Sequence, residues 1–194
     1  LHGALKFSDH PRAVVQKLDV SKAERLPGVK RVLTAADVPG DRVIGLIRQD
    51  WPLMIAEGEI TRYVGDVVAC VIAESDEIAR TAVAQIEVTY DVLEPITDIH
   101  EAVKAECPSI QKGGNILSKS ITNRGSVEEA TEKSKYISHG IYQTQMIEHG
   151  YMEPEVAIAY PQNDDGIEVL SQSQGVYEDR VQIAKLLGLP LNKV

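Results

Sequence analysis

The chain of 194 residues shows two hydrophobic periods. Alternation and short apolar runs are typical of strands, and apolar residues three and four positions apart are typical of helices. The first pattern predicts strands at 5–7, 13–20, 29–34, 66–73, 86–92, 136–146, 156–160 and 167–173. The second predicts helices at 21–24, after 75, at 99–105, from 126 and at 176–187. This mixture predicts an α+β fold.

The stretch from Asp66 to Val92 has the clearest order of elements. Asp66–Ala73 is a nearly continuous apolar run, which is typical of a strand covered on both faces. Ser75 is placed to cap the next helix, and Ile86–Val92 alternates between apolar and polar residues. A strand, a helix and a strand in this order predict a right-handed crossover within one sheet.

Short polar motifs predict where other elements begin and end. Ser21-Lys22-Ala23-Glu24 has capping-box spacing, a hydroxyl followed three residues later by a carboxylate. Asn163-Asp164-Asp165-Gly166 between two strand patterns predicts a tight hairpin turn. Gly188 and Pro190 predict the end of the helix at 176–187.

Residues 97–120 differ in character from the segments on either side. They contain Gly113-Gly114, which could be read as a phosphate-binding loop, but the strand–loop–helix context of such loops is missing. We therefore interpret this stretch as a linker and predict two domains, 1–120 and 121–194.

Composition and charge exclude several classes of function. The net charge is −9 and lysine and arginine are not clustered, so nucleic acid is not expected as a partner. The two cysteines lie far apart and are too few to hold an iron–sulfur cluster. Low cysteine usage favours the cytoplasm, and no apolar stretch approaches the roughly 18 residues that a membrane-spanning helix requires.

Three motifs in the last quarter of the chain occur in a recognisable order. Glu148-His149-Gly150-Tyr151-Met152-Glu153-Pro154 has the form E-H-x-x-x-E-P. Ser171-Gln172-Ser173-Gln174 ends a predicted strand, and Leu187-Gly188-Leu189-Pro190 ends a predicted helix. In this order the motifs resemble the start of the molybdenum-cofactor domain of the xanthine dehydrogenase/aldehyde oxidase family.

The first half of the chain carries further motifs that are similar to those of the same family. They are Leu26-Pro27-Gly28-Val29, Leu33-Thr34-Ala35-Ala36-Asp37, the run 62–69, and Glu87-Val88-Thr89-Tyr90 followed by Leu93-Glu94-Pro95. The resemblance implies an α/β hammerhead domain, followed by the incomplete first part of a molybdopterin-binding domain.

Gln174 is the main candidate for a cofactor contact. It lies where a strand ends and a helix begins, a common place for ligand contacts in α/β folds. The resemblance implies that its amide lies beside molybdenum and donates a hydrogen bond to a metal-oxo oxygen without ligating the metal. The alternative is a glutamine that satisfies the first turn of its own helix.

His149 and Glu153, four residues apart, permit two interpretations. They could be half of a zinc site on a helix, but Gly150 and Pro154 disfavour a helix and a second pair of ligands is missing. The other interpretation is that they form buried hydrogen bonds, which shape the strands near the cofactor.

The resemblance implies an oxidoreductase that hydroxylates purines, related N-heterocycles or aldehydes with water-derived oxygen. It also implies a molybdopterin-type molybdenum cofactor, with iron–sulfur clusters and FAD on partner domains or subunits. The family's catalytic glutamate lies in a later glycine-rich region, so residues 1–194 alone are expected to hold no catalytic residue, retain no cofactor and be inactive. Exposed strand edges predict a homodimer. Two alternatives are a standalone small-ligand or protein-interaction module, and a hydrolase that uses His149.

Overall fold

The computed structural model describes residues 1–194 and contains nine strands and five α-helices. The strands are β1 His2–Phe7, β2 Ala13–Asp19, β3 Val29–Leu33, β4 Val43–Ile44, β5 Trp51–Pro52, β6 Val67–Ala73, β7 Glu87–Val92, β8 Ala157–Pro161 and β9 Ile167–Ser171. The helices are α1 Ser21–Glu24, α2 Asp76–Val83, α3 Ile99–Ala102, α4 Val127–Lys133 and α5 Val176–Leu187. The α+β fold class is therefore confirmed.

The first half of the chain is built on three antiparallel sheets, the smallest of which is the pair of β4 and β5. β6 is the central strand of a three-stranded sheet in the order β1-β6-β3, and β2 pairs with β7 in a separate sheet. The predicted crossover within one sheet is therefore wrong, because β6 and β7 belong to different sheets. The pattern of a single strand fixes which faces are buried, but it does not identify the neighbouring strand.

β6 lies between two hydrophobic clusters. Ala69, Val71 and Ala73, at alternate positions, are fully buried in a cluster that includes residues of α2. Val68 points to the opposite face and packs with Val15 and Ile55. The prediction that this strand is covered on both faces is confirmed.

Helix caps agree with the sequence in one place and differ in another. The Ser75 hydroxyl accepts a hydrogen bond from the backbone N–H of Ile78 at 3.2 Å, so the predicted cap of α2 is confirmed. Ser21, in contrast, is the first helical residue of α1, whose N-cap is Val20, so the predicted capping box is wrong. A capping box is formed instead by Thr34 and Asp37 in a 3-10 turn.

The irregular segment between β4 and β6 is tied to the rest of the chain by charged side chains. Arg42 donates two hydrogen bonds to the Glu59 carboxylate, at 2.8 and 2.5 Å, and a third to the Met54 carbonyl at 2.6 Å. The hydrogen bond from Arg42 lowers the pKa of Glu59. The Glu59 carboxylate is therefore paired with Arg42 and is not simply solvated.

Residues 116–165 are exposed throughout. The predicted strand at 136–146 is not formed, although its pattern is typical of strands. Ile141, Tyr142 and Met146 are each more than nine-tenths exposed. A strand needs a hydrogen-bonded neighbour to satisfy its backbone, and no other strand of this chain lies beside this segment. No helix in the chain combines the length and the apolar character required to cross a membrane.

Candidate functional site

Gln174 lies in the connection, residues 172–175, between the end of β9 and the first residue of α5. Strands β8 and β9 form an antiparallel hairpin, and Asp165 in the turn between them has a positive φ of 62°. This confirms the predicted turn at 163–166. Helix α5 has the predicted bounds and ends at Gly188, which has the left-handed conformation. Local sequence therefore places Gln174 at a junction of two well-defined elements.

Hydrogen bonds close the connection on both sides of Gln174. The Ser171 hydroxyl donates to the Asp179 carboxylate at 3.0 Å, and the Gly175 N–H donates to the Ser173 hydroxyl at 3.0 Å. On the neighbouring strand, the Val156 N–H donates to the Gln172 side-chain oxygen at 3.0 Å. These hydrogen bonds involve polar groups on both sides of Gln174, but none of them involves the Gln174 side-chain amide.

The Gln174 side chain is exposed, and no hydrogen bond joins it to the rest of the chain. The N-cap of α5 is Gly175, and no side chain caps this helix. The alternative in which Gln174 satisfies the first turn of its own helix is therefore not formed. Its two amide N–H donors are free to bind an acceptor from outside the chain.

An open groove of about 650 Å³ adjoins Gln174. It lies between the end of β9 and the segment before β8, and its lining includes Tyr151, Glu155 and Asp179 as well as Gln174. The sequence motifs did not single out Glu155 or Asp179. Asp179 lies within α5, beyond the motif, and only the fold brings its carboxylate back to the strand end.

His149 and Glu153 are both exposed, and no side-chain hydrogen bond holds either residue. The buried hydrogen bonds expected for them are therefore absent from the chain. The His149 ring stacks on Tyr151, with 5.6 Å between ring centroids and 2° between planes. Through Tyr151, His149 adjoins the Gln174 groove. No group of three or more histidine, cysteine or acidic side chains comes together as a metal site in the chain.

A second cavity, of about 530 Å³, lies in the first half of the chain and contains none of the predicted site residues. Three arginines line it. Arg12 donates to the Glu94 carbonyl at 2.9 Å, Arg42 binds Glu59, and Arg62 donates to the Ile110 carbonyl at 3.4 Å. These guanidinium groups hold the surrounding segments together.

Two family models match the chain. Residues 1–94 match the a/b hammerhead domain of aldehyde oxidase and xanthine dehydrogenase, and residues 110–194 match the molybdopterin cofactor-binding domain. The chain belongs to the xanthine dehydrogenase/aldehyde oxidase family. The expected order of a hammerhead domain and the start of a molybdopterin-binding domain is confirmed, while the boundary near residue 120 stays a prediction.

Individual relatives match along the full chain. A Bacillus subtilis protein described as a probable xanthine dehydrogenase subunit is 34% identical over 194 residues, which are 100% of this chain and 26% of that protein. The nicotinate dehydrogenase large molybdopterin subunit of Eubacterium barkeri is 29% identical, again over 100% of this chain and 45% of its own length. The chain therefore spans less than half the length of these relatives.

A solved structure shows the same fold. The aldehyde oxidoreductase of Desulfovibrio gigas superimposes with a TM-score of 0.89 and 26% sequence identity, over 100% of this chain and 22% of that structure. The whole length of the chain, including the exposed 116–165 segment, therefore follows the fold of that aldehyde oxidoreductase.

Proposed function

We propose that this chain is part of a molybdenum hydroxylase and that Gln174 faces its cofactor. The free amide of Gln174 in an open groove is the observation that carries this proposal. The relatives support it, because their names describe enzymes that act on xanthine, nicotinate or aldehydes. The substrate we propose is accordingly a purine, a related N-heterocycle or an aldehyde.

The residues around the groove fit a molybdopterin-type cofactor, which presents oxygen acceptors. Gln174 offers neutral N–H donors, and the uncapped first turn of α5 adds backbone N–H groups with a partial positive charge. When bound, the molybdenum centre supplies the two-electron redox chemistry of hydroxylation. Gln174 binds and orients an oxygen acceptor without adding charge, and the Ser171–Asp179 hydrogen bond keeps the junction in place.

The remaining parts of the proposal concern the whole protein. Electrons leave through iron–sulfur clusters and FAD on partner subunits or domains. This agrees with the names of two relatives, each of which describes one subunit of a larger dehydrogenase. The cytoplasm is the proposed location. We infer that residues 1–194 alone are inactive, and measurable purine hydroxylation by this piece without other subunits would contradict that.

The test uses the full-length protein with its partner subunits. Gln174→Ala is expected to lower kcat at least about tenfold, because the variant lacks one positioned hydrogen-bond donor at the reacting centre. The molybdenum content of the variant is expected to change little. Gln85→Ala is the matched control, because Gln85 is an exposed glutamine at the end of α2. Equal kcat values for wild type and Gln174→Ala would remove the proposed role of Gln174.

The standalone module is the second candidate. The exposed apolar side chains at 136–147 favour it, since large exposed apolar patches mark interaction surfaces. Purification of the native protein separates the candidates, because the module predicts a protein without molybdenum and the hydroxylase predicts about one molybdenum atom per chain.

A further inference from the structure

A loop of the hammerhead part holds the last turn of helix α5. We name the segment Pro39–Gln49 the strap. The backbone N–H of Gly40 donates to the Leu186 carbonyl at 2.9 Å, and that of Asp41 donates to the Lys185 carbonyl at 2.9 Å. Carbonyls in the last turn of a helix have no partner within the helix. The Lys185 carbonyl also accepts from the Gly188 N–H, whereas the Leu186 carbonyl has the strap as its partner, so the strap supplies a hydrogen bond that α5 lacks at this end.

The strap continues along the helix towards Gln174. The N–H of Gly45 donates to the side-chain oxygen of Gln182 at 3.1 Å. Farther on, strap residues line an open depression of about 200 Å³ together with Tyr177 and Glu178 of the first helical turn. The strap thus reaches from the last turn of α5 to the turn that follows Gln174, which is about 18 Å for a helix of this length.

Gly40 fits only because it has no side chain. A Cβ atom at this position would lie 2.0 Å from the Lys185 carbonyl oxygen and 2.8 Å from that of Leu186. Both contacts are with backbone atoms, which a rotamer change cannot relieve. Any other residue at position 40 must therefore push the strap and the end of α5 apart.

We propose that the strap positions Gln174, with Gly40 and Gln182 as positioning residues. The N-terminal end of α5 carries no side-chain cap and is joined to β9 by the exposed Ser171–Asp179 hydrogen bond, so contacts along the helix also decide where that end lies. A helix moves nearly as a rigid body, and a displacement at Leu186 is carried to Val176. The inference rests on the proposed function, in which Gln174 faces the cofactor.

The first test measures amide hydrogen exchange in the full-length protein with its partner subunits. Gly40→Ala is expected to speed exchange at residues 179–182, the first hydrogen-bonded amides of α5, and at residues 185–189 about two- to tenfold, the effect of losing one hydrogen bond. Gly113→Ala is the control, since a Cβ at Gly113 meets nothing within 4 Å. Unchanged exchange at residues 179–182 in Gly40→Ala would overturn the proposal.

The second test uses Gln182, where the hydrogen bond is removed without a clash. Gln182→Leu removes the acceptor for Gly45, and Gln182→Glu keeps an oxygen at the same place. Gln182→Leu is expected to lower kcat about two- to tenfold with an unchanged KM, and Gln182→Glu is expected to restore kcat. Equal loss in both variants would mean that the hydrogen bond is not the cause, and would overturn the role of Gln182.

A double variant separates this inference from the proposed function. If the strap acts through Gln174, Gly40→Ala lowers kcat in the wild-type background and has no further effect on kcat in a Gln174→Ala background. Additive losses would overturn the link to Gln174. If Gln174→Ala itself leaves kcat unchanged, the proposed function fails, while the exchange at residues 179–182 still decides whether the strap holds the helix.

Discussion

The Ser171 hydroxyl donates a hydrogen bond to the Asp179 carboxylate across 3.0 Å, and this bond joins the last residue of β9 to the first part of α5. Gln174 lies in the connection between them. The carboxylate also lies near the N-terminus of the helix, where the helix dipole favours a negative charge. This side-chain hydrogen bond thus joins the two ends of the connection that carries Gln174, the candidate cofactor-binding residue.

Removal of this contact is expected to loosen the junction. Ser171→Ala should lower the free energy of unfolding by about 0.5–1 kcal/mol, the low part of the range for one hydrogen bond because the pair is exposed. Ser171→Thr keeps the hydroxyl and is the matched control. Chemical denaturation measures both variants, and an alanine variant as stable as the threonine variant would contradict the prediction.

The Arg42–Glu59 pair should make stability depend on acid pH. The pKa of Glu59 is below its ordinary value of 4.5, with the hydrogen bond from Arg42 as the largest cause. Its stabilising contribution is therefore complete above about pH 4.5 and is lost as the pH falls through the lowered pKa. We expect Glu59→Gln to cost about 1 kcal/mol at pH 7, because the side chain is 40% exposed and partly screened.

The pH dependence provides the control for that prediction. The difference in unfolding free energy between wild type and Glu59→Gln should shrink as the pH falls below about 4. Glu106→Gln, at an exposed position without an ion pair, should differ little from wild type throughout. A Glu59→Gln deficit that stays constant down to about pH 2 would show that the carboxylate charge is not its cause.

The Ser75 cap should contribute to the stability of the hammerhead part. Ser75→Ala leaves the Ile78 N–H without its partner and is expected to cost about 1 kcal/mol. Ser75→Asp keeps a capping oxygen and should be close to wild type, and Ser120→Ala controls for the loss of an exposed serine. Thermal unfolding of the four proteins measures the cost, which should be absent in the two controls.

Open strand edges predict self-association of residues 1–194. β8 and β9 pair only with each other, so the outer edge of each strand has no partner. Such edges pair readily with another chain, and a charged side chain on the edge opposes this. We expect a dimer in light scattering at high concentration and a monomer for Ile158→Lys. A wild-type chain that stays monomeric at high concentration would disprove the edge contact.

The elements that the sequence predicted well are those with local causes. α5 begins and ends as predicted, because Gly188 stops the helix through its left-handed conformation. The hairpin turn at 163–166 and the Ser75 cap likewise depend on neighbours within a few residues. Gln174 could be placed at a strand–helix junction for the same reason. Only the structure shows that its side-chain amide is exposed, because this depends on the hydrogen bonds that the neighbouring side chains form.

The elements that the sequence missed depend on partners far along the chain. The pattern at 136–146 is typical of a strand, but a strand forms only beside another. The continuous apolar run of β6 correctly predicted burial on both faces, but neither this run nor the alternation in β7 predicted that the two strands belong to different sheets. The Arg42–Glu59 pair gives no signal in the sequence pattern, because the two residues are 17 positions apart and approach each other only through the fold.

The sequence by itself determined the family, the bounds of the local elements and the position of Gln174 in its motif, because each is written in residues that are close together. The tertiary structure alone decided which strands pair, that the Gln174 amide is free, and that Gly40 lies against the last turn of α5. Gly40 and the last turn of α5 are more than a hundred residues apart in the sequence. Strand pairing and the hydrogen bonds between Gly40 and α5 are made by backbone groups. Every residue possesses these groups, so such contacts leave little trace in the sequence pattern.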